Sequence, residues 1–220
     1  MSDGYIGDKW VSDRIPGGNG FNVKLESVFG TWFQIMKQYS DEINNEEHMY
    51  WFGERATVGS LAAAFARNEI TVLEEFVCGR EEDRNGRCDL LFVDQHHWYA
   101  GEFKQRFPLA HDGSLVFDDK SNGLKCAYKD AAGFLKANAD AGDEKYHAFG
   151  ASFFTPSVRK EENINKVVDD VVERLKTSKG VLDFWAYYAP PEKERLWKGA
   201  NKRFYPIVAL LGQFVKHKTI

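Results

Sequence analysis

Cysteine is scarce in this 220-residue chain. Cys78, Cys88 and Cys126 are an odd number with no CxxC spacing. That excludes a disulfide framework, argues against zinc, and suits reduced thiols in a cytoplasmic setting. No apolar run approaches the ~20 residues that a membrane-spanning helix needs. The opening MSDGYIGDKW has no basic patch followed by an apolar segment, so no secretory leader is read there. Positive charge is also short. The net charge of −4 excludes a surface coated in Lys and Arg for bulk nucleic-acid binding. The deficit is uneven. From Glu192 to the C-terminus seven Lys/Arg face two Glu, a local +5, which leaves −9 for the remainder. The chain shows no internal repeat and no low-complexity tract.

What the chain does have is apolar and aromatic mass. It is 43% hydrophobic and 15% aromatic, enough for the core of one domain of this length. Residues 1–22 end in Pro16-Gly17-Gly18-Asn19-Gly20 and read as an irregular N-terminal arm. Residues 23–220 read as one α/β domain. In 23–39, Leu25, Phe29, Trp32, Phe33 and Met36 recur at helical spacing; this face is either core or a contact for a homodimer. A second helix is expected over about 46–67, with Glu54 in its first half.

The period then changes. Ile70–Cys78, Arg87–Val93 and Trp98–Lys104 read as three strands joined by short turns. The first turn, 79–86, ends in the hairpin dipeptide Asn85-Gly86. The second carries His96 and His97, read as turn residues. A polar loop and a helix over 124–139 follow, then a strand over Tyr146–Thr155, a helix over Glu161–Lys176 and a strand over Asp183–Ala189. The apolar stretch Tyr205–Val215 fits helix or strand. The order predicts an α/β fold with a mixed β-sheet flanked by helices.

The chemistry concentrates in Arg87–Gln105. Side chains alternate along a strand, so Glu102 and Lys104 share one face while Phe103 points to the core. A hairpin brings Asp89 beside them. Two carboxylates and an ammonium at one point suit metal-assisted phosphodiester hydrolysis. Mg²⁺ needs only two or three carboxylates, keeping waters and substrate phosphate as its other ligands. The triplet itself is unspecific: Asp118-Asp119-Lys120 and Asp143-Glu144-Lys145 spell the same pattern in loops. Only Glu102-Phe103-Lys104 lies on an expected strand after an acid-bearing strand.

In that order of elements the chain resembles the PD-(D/E)xK nuclease superfamily, with its restriction-endonuclease-like core, over about residues 46–156. The resemblance implies Asp89, Glu102 and Glu54 as ligands of Mg²⁺ or Mn²⁺, and Lys104 as the residue that positions the attacking water. It also implies DNA as partner. Cys88 stands in place of the motif's proline, and no Gln-x-x-x-Tyr follows, although Gln105 and Tyr128 remain candidates for the phosphate backbone. Each residue has a plainer reading: Asp89 as a solvated residue after a turn, Glu102 and Lys104 as an exposed cross-strand group, Glu54 as part of a solvated helix face. Glu74 or Glu75 is a further candidate for the metal site. Lys198, Lys202 and Arg203, interleaved with Trp197, Phe204 and Tyr205, read either as a nucleic-acid contact or as a solvated tail. The expectation is a metal-dependent nuclease acting on DNA. The alternative is an inactive nuclease-like module that binds nucleic acid or protein.

Overall fold

The computed structural model describes residues 5–16, 18–43, 47–80, 84–112, 115, 123–138 and 146–216. The two decoy triplets at 118–120 and 143–145 lie outside them. Seven strands form one sheet: β1 (Ile6–Val11), β2 (Thr71–Arg80), β3 (Arg84–Asp94), β4 (His97–Arg106), β5 (Tyr146–Phe154), β6 (Phe184–Ala189) and β7 (Val208–Phe214). Their spatial order is β1-β6-β7-β5-β4-β3-β2. Every neighbouring pair is antiparallel except β4 and β5. That parallel pair requires a crossover, and the helix α3 (Leu124–Asn138) lies on it.

One face of the sheet is covered by α1 (Gly18–Glu42) and α2 (Glu54–Arg67). Phe29, Trp32, Phe65, Phe92, Phe103 and Phe153 are buried between these layers. The indole of Trp32 donates to Ser60 Oγ at 2.9 Å and ties the two helices together. Leu25, Phe29, Trp32, Phe33 and Met36 of α1 belong to this core, whereas Val23 is exposed. On the other face α3 packs over β4 and β5 and reaches β2. The helix α4 (Ile164–Thr177) places Val167, Val168, Val171 and Leu175 against β6 and β7. None of the described helices is long and apolar enough to cross a membrane.

Several expectations change. The supposed irregular arm contains β1, which pairs with β6 from Ile6↔Ala189 to Val11↔Phe184. The sequence IGDKWV hid it because an outer strand needs no apolar run. Helix α1 begins at Gly18, inside the presumed arm. The second helix is broken: a 3₁₀ turn covers Met49–Phe52, and Gly53, at φ 94°, redirects the chain into α2. Asn85 and Gly86 are not the turn; they pair with Gly79 and Cys78 within the β2–β3 ribbon. The undecided stretch near the C-terminus is a central strand, β7, buried on both faces, which is why its sequence lacks alternation.

Candidate active site at the open edge of the fourth strand

The β3–β4 ladder runs from Asp94↔His97 to Leu90↔Gly101 and stops. Asp89 and Glu102 are the first residues past its last pair. At that point the β2–β3 ribbon turns over. Val72, Leu90 and Phe92 face α1 and α2, whereas Phe76, Cys78 and Cys88 face α3. All six positions are even-numbered, and even positions pair with even ones across the ladder, so regular alternation would keep them on one face. The inversion falls at Glu75, which takes φ 48°, and at Asp89 across from it; the ladder passes from Glu74↔Leu90 to Phe76↔Cys88.

The divergence leaves β4 with backbone N–H groups facing no strand, and two carboxylates take them up. Phe103 N donates to Asp89 Oδ2 at 2.7 Å. Gln105 N donates to Glu54 Oε2, also at 2.7 Å, from the first turn of α2. Buried backbone donors need acceptors, so these acids complete the edge of the strand. Donors two residues apart on a strand lie roughly 6.6 Å from one another. The two carboxylates are therefore set side by side along β4. Asp89 and Glu54 both line a cleft of about 290 Å³, together with Arg55, Glu74, Glu75 and Arg87.

Lys104, between the two donors in sequence, projects toward α3, where its Nζ is 3.3 Å from Asp130 Oδ2. Burial acts against its charge, but the carboxylates of Asp130, Asp89 and Glu54 outweigh it and hold the pKa above the ordinary lysine value. Lys104 is thus an ammonium paired with Asp130 and favoured by both acids, and it does not itself line the cleft. Asp130 was not anticipated from sequence, because nothing local marks an acid on α3 as the partner of a lysine on β4.

Glu102 is placed differently from its expected partners. It pairs with Gly150 in the parallel ladder and is only 2% exposed. A Cβ on Gly150 would lie 2.2 Å from the backbone nitrogen of Tyr128. The glycine lets α3 rest directly on the sheet, and this closes over Glu102. Burial, and then the Glu102 carboxylate, push the Cys88 thiol well above its ordinary pKa. Glu102 shares a face with Lys104, as alternation predicted, but it does not line the cleft.

Gln105 lies inside the protein and does not line the cleft. It is buried, its Nε2 donates to Tyr50 O (2.8 Å) and Thr155 Oγ1 (3.2 Å), and its Oε1 accepts from Thr57 Oγ1 at 3.1 Å. Those groups tie β4 to the 3₁₀ turn, to α2 and to the end of β5. Tyr128 stands half-buried on α3 over Gly150. Glu75 binds Arg55 Nε at 3.0 Å and Arg87 at 2.6 Å, so its carboxylate organises two arginines at the cleft. Gln95 and His96 form the β3–β4 turn at φ 46° and 73°. His97 Nδ1 lies 2.9 Å from His147 Nε2, away from the cleft acids. The basic stretch divides. Arg195 is buried, with Nε donating to Pro190 O at 2.7 Å, whereas Lys198 and Lys202 are exposed and Arg203 half-exposed.

Among the described residues, no three His, Cys, Asp or Glu side chains gather into one metal-binding group. Asp89, Glu54 and Glu102 are therefore not a ready-made three-acid cage. The pair Asp89 and Glu54 does suit a cation that takes few protein ligands. Each has one oxygen committed to β4 and lines the cleft, and an ion that keeps several waters needs no more than such a pair from the protein. Protein-family models, curated proteins and solved structures yield no match to this chain.

Proposed function

We propose that the chain is a metal-dependent nuclease with a restriction-endonuclease-like core, hydrolysing phosphodiester bonds in DNA. One observation carries the reading: two carboxylates, Asp89 and Glu54, stand together on the open edge of β4 and line a cleft, and their charge helps to keep Lys104 an ammonium. Asp89 and Glu54 would hold Mg²⁺ or Mn²⁺, with Glu102 as an adjoining acid beneath α3. The ion, when bound, supplies Lewis-acid stabilisation of the phosphate and a water of lowered pKa. Lys104 orients the attacking water or offsets phosphate charge, and Asp130 keeps its ammonium in place. The β4 backbone fixes both carboxylates, so they are set before substrate arrives, which is where electrostatic catalysis gains most. Arg55 and Arg87, steadied by Glu75, face an incoming phosphate from the cleft wall.

The test is plasmid nicking with Mg²⁺ or Mn²⁺ against a chelated control. Cleavage should require the ion and be lost in Lys104→Ala with the circular-dichroism spectrum unchanged. Absence of cleavage with either ion would overturn the reading. The second reading, an inactive module that binds nucleic acid or protein, is favoured by the lack of a described three-acid group. It requires DNA retention without nicking.

A further inference from the structure

From the 3₁₀ turn and the C-terminal hairpin, we infer a subsite for one unpaired nucleobase beside the cleft; the inference rests on the nuclease reading. Trp51, Phe52, Tyr205, Glu47 and the turn Gly199–Asn201 enclose a second pocket of about 300 Å³. Phe52 is 55% exposed, and Tyr39 packs edge-on against it with ring centroids 6.2 Å apart. Phe107, 38% exposed, meets Tyr205 edge-on at 5.8 Å. Tyr205 also lies 5.8 Å from Trp51. Exposed phenyl rings braced by other aromatics cost free energy in water and offer flat faces.

The pocket adjoins the site at two places in the chain. Phe52 is two residues before Glu54, so their Cα atoms are at most about 7 Å apart. Phe107 is two residues beyond Gln105. A strand crossing the cleft would therefore reach the pocket within a nucleotide or two. The opposite wall is a small hairpin closed by the Lys198↔Phe204 bridge and by Lys202 N donating to Gly199 O at 2.8 Å. It carries Lys198, Lys202 and Arg203, the cations that the sequence had singled out. Aromatic walls beside a hairpin that carries three cations match a base with its phosphates. Asn201 braces this wall: its Nδ2 donates to Tyr205 Oη and its Oδ1 accepts from Arg203 N at 3.1 Å. A base within a duplex has both faces stacked and cannot enter. The ligand class is single-stranded or frayed nucleic acid.

The full chain, in chelator so that no hydrolysis occurs, is titrated into a labelled oligothymidylate and into a blunt duplex of equal length, read by fluorescence anisotropy. Phe52→Ala should weaken single-strand binding on the order of tenfold with little change for duplex. Phe52→Trp should restore it, and Lys202→Ala should weaken single-strand binding and flatten its salt dependence. Single-strand affinity unchanged in Phe52→Ala, or lost equally for both ligands, would overturn the subsite. Because binding is measured without metal, missing nicking activity sinks the nuclease reading alone, and an unaffected Phe52→Ala sinks the subsite alone.

Discussion

The carboxylate of Glu54 accepts the backbone N–H of Gln105 at 2.7 Å, across 51 positions of sequence. Asp89 does the same for Phe103. Each candidate metal ligand is thus also part of the fold, which dictates how the site must be tested.

Truncation and amide substitution should separate. In Glu54→Gln and Asp89→Asn the amide oxygen still accepts the backbone N–H while the charge is gone. Stability in urea should change by less than about 1 kcal/mol, whereas nicking should fall on the order of a hundredfold or more. Glu54→Ala and Asp89→Ala leave a half-buried donor unpaired and should lose a further ~1–3 kcal/mol of stability. Equal nicking rates for Asp89→Asn and wild type would remove Asp89 from the site.

His48 makes the fold acid-sensitive. It is 1% exposed, sandwiched between Tyr50 and Trp197, with Nδ1 2.8 Å from Ser40 Oγ. Burial lowers its pKa to about 4. The unfolded chain then binds a proton that the folded chain refuses between about pH 6.5 and pH 4, so stability falls as pH drops through that window. The loss is on the order of 3 kcal/mol. Urea midpoints of wild type and His48→Gln at pH 7 and pH 4.5 check it. The variant should show the smaller drop.

Gly150 should tolerate no side chain. Gly150→Ala would set a methyl group against the α3 backbone, which has no flexible end to yield. The expected cost is at least ~1–3 kcal/mol by thermal unfolding. Gly133, on the same helix, has no atom within 4 Å of a built Cβ, and Gly133→Ala should be neutral or stabilising.

Glu75 holds its left-handed backbone at φ 48° while binding two arginines. Exposed pairs of this kind contribute little to stability. Glu75→Gln should therefore leave the urea midpoint nearly unchanged. It should also tighten DNA binding in chelator and steepen its salt dependence, because Arg55 and Arg87 are freed for phosphate.

Local patterns carried most of the element order. The strands around Glu102 and Lys104, and the amphipathic α4, declare themselves by period. Placement of Glu102 and Lys104 on one face follows from alternation alone. The orientation of Asp89 does not, because it depends on the joint inversion of β2 and β3 at Glu75. A two-residue period has no symbol for that event. Gln105 looked like a free amide beside the motif because its partners Tyr50, Thr57 and Thr155 lie 48 to 55 residues away. Phe52 and Phe107 escaped notice for the opposite reason. Each is a single aromatic outside any period, and only the fold brings Phe52 to the pocket and Phe107 against Tyr205 in its wall.

Completing a strand with side chains also constrains how this chain can drift. A lineage that abandoned the chemistry would still need an oxygen opposite Phe103 N and Gln105 N. Folding alone would hold Asp or Asn at position 89 and Glu or Gln at 54, while Lys104, which no backbone group depends on, would be released first. On the nuclease proposal, the lysine is the informative position among descendants of this fold: its loss with both acceptors intact would mark a retired enzyme.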